Sequence, residues 1–180
     1  MQKKWIGGLV LFLFFSVQTH AQRTQIFDAK QEQLRTIESL YQNSRFVAVK
    51  RQSEQLMADI FPPSELKEDQ DLYRRATYYR ALSTAQLRQK DADYQLLAFI
   101  EAYPDALEVN EVKFFLGQYY FISKKYKEVI PVLSSLDATL LTIDQSAKTH
   151  YYLGYSYFTR DAFKEAKQSF EQISGLKNEY

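Results

Sequence analysis

The chain has 180 residues, 46% hydrophobic and 25% charged, with 5 Gly, 4 Pro and a formal net charge of +1. That is globular usage, and it excludes disordered, collagen-like and low-complexity classes. The absence of Cys excludes disulfide frameworks, thiolate catalysis, Cys-ligated zinc and a lipid-modified cysteine.

Lys3 and Lys4 open a segment in which Trp5 to Val17 is an apolar run of 13 residues, followed by Gln18 and the small-residue ending Thr19-His20-Ala21. The pattern predicts a secretory signal peptide over residues 1–21, cut between Ala21 and Gln22, and hence export, to the periplasm before the medium. An uncleaved anchor is the rival, but the run falls short of the ~20 apolar residues that cross a bilayer. No second apolar stretch follows, so no membrane-spanning segment is expected after cleavage. Cleavage takes two of the 23 basic residues and leaves 21 against 22 acidic, a formal charge of −1. Nucleic-acid binding thereby loses its electrostatic motive. His150 becomes the single imidazole, so multi-histidine metal sites are excluded.

From Gln25 onward, apolar residues recur at three- and four-residue intervals with few breakers, and no alternating strand pattern of useful length occurs. The spacing predicts an all-α chain of eight helices at about 24–42, 45–60, 65–89, 92–103, 107–122, 126–137, 144–160 and 162–175. They group as hairpins at about 24–60, 65–104, 107–137 and 144–175. Pro62-Pro63-Ser64 is expected to end one helix and cap the next, Pro104-Asp105 to close another, and Gly175 to form a left-handed C-terminal cap. Asp91, Asp144 and Asp161 stand where N-caps are wanted. Pro131 falls near the first turn of its helix, where a missing N–H costs least.

The chain repeats itself. Phe114-Phe115-Leu116-Gly117-Gln118-Tyr119-Tyr120-Phe121 parallels Tyr151-Tyr152-Leu153-Gly154-Tyr155-Ser156-Tyr157-Phe158, with glycines 37 residues apart and aromatics, Tyr126 and Phe163, nine residues after each. Tyr78-Tyr79-Arg80-Ala81 repeats the opening 36 residues before Gly117. At these positions the chain resembles the tetratricopeptide repeat family, through Leu153-Gly154, Tyr157, Ala166 and Phe170 in residues 147–173. Residues 110–136 match through Leu116-Gly117 and Tyr120, with Val129 and Leu133 where the family prefers Ala and an aromatic. Residues 74–104 keep Ala81 and end in Tyr103-Pro104-Asp105, similar to repeats of bacterial cell-envelope proteins of outer-membrane assembly and Tol–Pal function. Arg80 stands there where an apolar residue is expected. The hairpin at 29–57 matches only through Leu40-Tyr41, Phe46 and Leu56.

The resemblance implies a right-handed superhelical array of antiparallel helical hairpins, an α-solenoid. Its packing positions here are Ala81, Leu116, Gly117, Tyr120, Leu153, Gly154, Tyr157, Ala166 and Phe170. Small residues let paired helices approach closely, while Tyr157, Phe163 and Phe170 are expected to fill the space between hairpins. Solenoids usually end in a polar capping element, and here Phe170 and Ile173 are followed only by Leu176-Lys177-Asn178-Glu179-Tyr180. Three readings stay open: an exposed apolar flank, a covering partner, or the amino-terminal part of a longer array, which is favoured.

Candidate chemistry is sparse. His150 has Asp144 and Ser146 near it in sequence but no triad spacing. Asp91-x-Asp93 and Glu68-Asp69-x-Asp71 lack the glycine and closing Glu of a calcium loop. Arg74, Arg75, Arg80 and Arg88 read as a solvated face interleaved with acids. No phosphate loop, nucleophile elbow or zinc-protease motif occurs, and no enzyme activity, cofactor or metal is expected. The family's concave groove is lined by first helices, which implies Phe114, Gln118, Phe121 and Ile122, then Tyr151, Tyr155, Phe158 and Thr159. Tyr155 and Gln118 are the better candidates, because Leu-Gly already supplies the packed face. The expectation is an exported scaffold holding a protein or peptide segment in an aromatic-lined groove, in cell-envelope assembly or maintenance. The alternative is a structural module that self-associates through its last hairpin.

Overall fold

The computed structural model describes residues 25–62 and 66–176. The expected signal peptide at 1–21, its cleavage point, Pro63-Ser64 and residues 177–180 lie outside the described residues.

Among the described residues the chain is all-helical. Helix α1 covers 25–42. It is followed by α2 (Phe46–Ile60), α3 (Lys67–Gln86), α4 (Ala92–Ala102), α5 (Val109–Ile122), α6 (Tyr126–Ser134), α7 (Ile143–Phe158) and α8 (Phe163–Leu176), with a short 3₁₀ turn at Ala138–Leu140. The eight helices expected from periodicity are the eight observed. Their local punctuation differs in several places. Helix α7 is capped by Thr142, whose hydroxyl accepts from Gln145 N–H while the Gln145 side chain accepts from Thr142 N–H. This reciprocal box displaces Asp144 into the first turn. Asp91 is the N-cap residue of α4 but makes no side-chain cap bond; its carboxylate accepts from Gln95 Nε2 instead. Gly175 lies within α8, and no glycine among the described residues has positive φ. Pro131 is the sixth residue of α6, past the first turn, and α6 continues to Ser134 without its N–H.

Paired helices run antiparallel. In α3 and α4, Thr84 meets Gln95 and Tyr78 meets Phe99, so one helix is traversed backwards as the other advances. The same order relates Phe121–Tyr126 and then Gly117–Leu133 in α5 and α6, and Phe158–Phe163 and then Gly154–Phe170 in α7 and α8. At two of these crossings a side chain of the partner helix occupies the space that a Cβ would take. A Cβ on Gly117 would stand 2.2 Å from Leu133 Cδ2, and one on Gly154 would stand 2.6 Å from the Phe170 ring. Each partner lies 16 residues after its glycine, so the second hairpin of the pair reproduces the first.

The core falls into two clusters joined on α3. Leu34 and Ile37 of α1, Val49, Leu56, Met57 and Ile60 of α2, and Leu72 and Ala76 of α3 form the first. Tyr78, Ala81 and Leu82 of α3 begin the second, which runs through Leu96 and Phe99, Val112, Leu116 and Tyr120, Val129 and Leu133, to Leu153 of α7. Burying a ring such as Phe99 removes of order 150–250 Å² from water, worth ~25 cal/mol per Å² as an upper bound. Helix α8 contributes little to this core: only Ala166 of its residues up to Gly175 is buried.

Alternate helices also touch, α3 with α5 and α5 with α7. Polar ties join one hairpin to the next: Lys30 to Asp69, Arg75 to Glu38, Arg74 to Glu108, Tyr78 to Glu111, Tyr119 to the Gln89 carbonyl, Lys125 to Asp93 and Gln118 to Tyr152. Each links residues between 30 and 39 apart in sequence. These separations bracket the 36- and 37-residue intervals between the copies read from the sequence.

Candidate partner-binding face

The turns that close the helix pairs share one construction. Ser44, Arg88, Lys124 and Asp161 adopt left-handed backbone, with φ of 56°, 54°, 59° and 59°. In each turn the N–H of that residue donates to the carbonyl three before it, and the next N–H donates to the carbonyl five before: Arg45 to Leu40, Gln89 to Thr84, Lys125 to Tyr120, Ala162 to Tyr157. This is the Schellman closure, which satisfies the last carbonyls of the first helix and reverses the chain. Glycine is the usual left-handed residue, so composition alone hides the motif. Asp161, expected as an N-cap, is one of these turn residues. The last three turn residues are spaced by 36 and 37 positions, as are Ala81, Gly117 and Gly154, whereas the first interval is 44.

Around the last two turns the aromatics gather. The Phe121 ring lies 4.4 Å from Tyr152, 5.5 Å from Tyr155, and 5.8 Å from both Tyr151 and Tyr126, between centroids. Tyr126 lies 5.4 Å from Tyr155, and Tyr151 reaches Phe170 at 6.4 Å. Such tilted and edge-on pairs add ~0.5–1.5 kcal/mol each beyond burial. Gln118 donates from Nε2 to the Tyr152 hydroxyl at 3.2 Å, tying α5 to α7. The Tyr126 hydroxyl is held above its ordinary pKa, first by desolvation and then by the neighbouring Tyr155. The cluster presents apolar ring surface with hydroxyl tips, suited to stacking and to hydrogen bonds with backbone amides.

Beside it, between α3 and α5, Ala85, Gln86, Arg88, Phe115, Gln118, Tyr119, Ile122 and Ser123 line a pocket of about 190 Å³. Its origin is local. Ala85 occupies the place, three residues before the turn residue, where the other turns carry Tyr41, Phe121 and Phe158. The missing ring leaves room.

The eight residues expected to line one groove divide. Phe121, Tyr151 and Tyr155 meet in the aromatic cluster, with Tyr151 and Tyr155 exposed. Gln118 and Ile122 line the pocket. Phe158 instead stacks on Phe163 of α8 at 5.7 Å and, with Phe163, Ala166 and Phe170, borders an open groove of about 580 Å³ at the far end. Thr159 terminates α7, its hydroxyl bonded to the Ser156 carbonyl. Phe114 is only 4% exposed and offers a partner nothing, because it points into the helix packing. Tyr126 and Tyr152 belong to the cluster and were missed. The nine-residue offset of Tyr126 from Gly117 was the available signal, but it is equally a packing pattern.

Of the residues expected to pack, Ala81, Leu116, Gly117, Tyr120, Leu153, Gly154 and Ala166 are buried, and Tyr157 is half-buried against the larger core. Phe163 and Phe170, expected to fill space between hairpins, are 58% and 36% exposed. No helix among the described residues lies beyond them.

Several charged groups are engaged in structural pairs. Arg74 binds Asp71 and Glu108, Arg75 binds Glu38, Lys30 binds Asp69, and Lys125 binds Asp93 at 2.8 Å. Arg74 and Arg75 are thus taken up by acidic partners on α1, α3 and the start of α5, while Arg88 lines the pocket. Asp144 holds Lys148 at 2.6 Å and is unavailable to His150, whose pKa is lowered by desolvation. Burial and the hydrogen-bonded Glu111 push the Tyr78 hydroxyl far up, so it remains a donor clamping α3 to α5. Among the described residues no three His, Asp or Glu side chains converge as a metal site, and no helix is long and apolar enough to cross a membrane. Comparison with protein-family models, with curated proteins and with solved structures returns no match.

Proposed function

We propose that the protein is an exported, non-enzymatic interaction scaffold. In this reading α1 to α8 form a tetratricopeptide-like right-handed solenoid. The face carried by its first helices, α3, α5 and α7, holds an extended peptide or protein segment. The supporting observation is the row of lateral contacts from α3 to α5 to α7, along which Gln118 and Ile122 line a pocket sized for one side chain and Gln118 is bonded to Tyr152 of the cluster that holds Tyr151 and Tyr155. Tyrosine rings lose little entropy on binding and combine apolar area with a hydrogen-bonding tip. A near-neutral chain recognises a partner by shape and buried rings before charge. The signal-like start and the Tyr103-Pro104-Asp105 close favour the cell envelope, with the periplasm as the site of work.

Two experiments test this. Mass spectrometry of the protein recovered from its native host should find an amino terminus at Gln22; an intact residue 1 in the soluble cytosolic fraction would remove the export reading. Peptides selected from a random displayed library against the chain should lose at least about tenfold in affinity on Tyr155→Ala or Gln118→Ala, with helical circular dichroism unchanged. Selected binders indifferent to both substitutions would move the site off this face. The structural alternative, association through the last hairpin, draws on the exposure of Phe158, Phe163 and Phe170.

A further inference from the structure

Where successive hairpins meet, one contact between rings recurs. The residue three before a left-handed turn residue packs against the residue nine before the next one. Tyr41 of α1 thus lies 5.4 Å from Tyr79 of α3, and Phe121 of α5 lies 4.4 Å from Tyr152 of α7, between ring centroids. The middle member of the series is Ala85 of α3 against Phe115 of α5. Its receiving ring is present, but alanine stands where the inserting ring belongs. Both residues line the pocket of about 190 Å³ between the two helices.

Two further lining side chains are fixed by contacts of their own. The Tyr119 hydroxyl donates to the Gln89 carbonyl at 2.9 Å, and Gln118 Nε2 donates to the Tyr152 hydroxyl at 3.2 Å. Gln118 Oε1 and the Arg88 guanidinium add an acceptor and donors to the lining. A cavity of about 150 Å³ left by truncating a buried side chain takes up benzene, because a ring restores the contacts that the lining has lost.

We propose that this pocket is a binding site for an aromatic ring, presented by the bound segment as a tyrosine and packed against Phe115 as Tyr41 packs on Tyr79 and Phe121 on Tyr152. The inference rests on the reading of this face as a peptide groove and names the side chain that the groove selects. An aliphatic side chain fills the volume without the ring-on-ring contact. A carboxylate or ammonium loses its hydration against Phe115 and Ile122.

The probe is p-cresol, the tyrosine side chain as a free molecule, titrated into the chain and followed by NMR at the Ile122 methyl groups. Saturable shifts are expected, with affinity about threefold or more above that of methylcyclohexanol, its saturated counterpart. Ala85→Phe supplies the ring from within and should abolish the shifts while helical circular dichroism is kept. Phe115→Leu, which keeps apolar bulk and removes the receiving ring, should weaken p-cresol about threefold or more and serves if Ala85→Phe does not fold. Absence of a shift at Ile122, equal binding of methylcyclohexanol, or binding unchanged in a folded Ala85→Phe chain overturns the proposal. Peptides selected on this face should carry one aromatic residue whose replacement by Leu costs about threefold or more, and Ala85→Phe should reject them. Peptides that depend on Tyr155 and Gln118 but need no aromatic residue of their own overturn this inference and leave the groove standing. Saturable p-cresol binding beside peptides indifferent to Tyr155→Ala and Gln118→Ala sinks the groove and supports the ring site.

Discussion

The α5–α6 and α7–α8 pairs are built alike and end differently. Both close on a left-handed turn residue, both cross at a glycine whose absent Cβ admits a side chain 16 residues on, and both set an aromatic pair across the turn. In α5–α6 the admitted side chain, Leu133, is 2% exposed, and α7 covers the pair. In α7–α8 the admitted side chain, Phe170, and the pair Phe158–Phe163 are open. A hairpin of this kind therefore fixes its own geometry locally, while its burial belongs to the neighbour.

The largest expected contrast is between the two admitted side chains. Leu133→Ala removes a fully enclosed group and should cost about 3 kcal/mol in denaturant unfolding. Phe170→Ala, whose ring is already partly in water, should cost about 1 kcal/mol. Equal losses would mean that α8 is as enclosed as α6. The glycines come next. Gly117→Ala forces Leu133 to move inside a packed core and should cost about 1 kcal/mol net of the helix propensity gained. At Gly154→Ala the Phe170 ring can swing outward, so the change should fall within ~0.5 kcal/mol of neutral.

The shared turn should respond equally in both pairs. Lys124→Gly and Asp161→Gly each relieve a left-handed residue that carries a Cβ and should stabilise by about 1 kcal/mol. A gain at only one would break the equivalence of the turns. The smallest effect concerns His150, whose folded pKa is depressed by desolvation. Below the unfolded value near 6.5 the unfolded chain takes up the proton more readily, so stability declines as pH falls through 6.5 towards the folded pKa. The decline should be slight, and His150→Gln should flatten it in thermal melts recorded between pH 7.5 and pH 5.

Much of this was legible in the residues. Three- and four-residue apolar spacing located eight helices, and the 36- and 37-residue intervals between Ala81, Gly117 and Gly154 matched those between the turn residues. The turns themselves were hidden, because Ser44, Arg88, Lys124 and Asp161 are not the residue type that left-handed backbone favours. Asp161 and Asp144 look like caps in the sequence for a related reason. An Asp near a helix start fits a cap, the first turn and a preceding turn residue alike, and only the hydrogen-bond partner distinguishes them.

The candidate face was half legible. Tyr151, Tyr155, Phe121 and Gln118 could be placed on first helices by register, but register does not say whether a ring points between helices or past them. Phe114 turned inward and Phe158 turned to α8, although both sit on faces that repeat arithmetic treats as equivalent.

Local periodicity and small-residue spacing thus decided which segments coil and where two helices can touch, because those depend on backbone hydrogen bonding and on side chains within a few turns. Tertiary packing decided which aromatics are core and which are surface. The exposure of a ring is set by the helix that lies over it, 31 residues away in sequence for Phe121 under Tyr152. No periodicity within a single hairpin reports whether that covering helix is there.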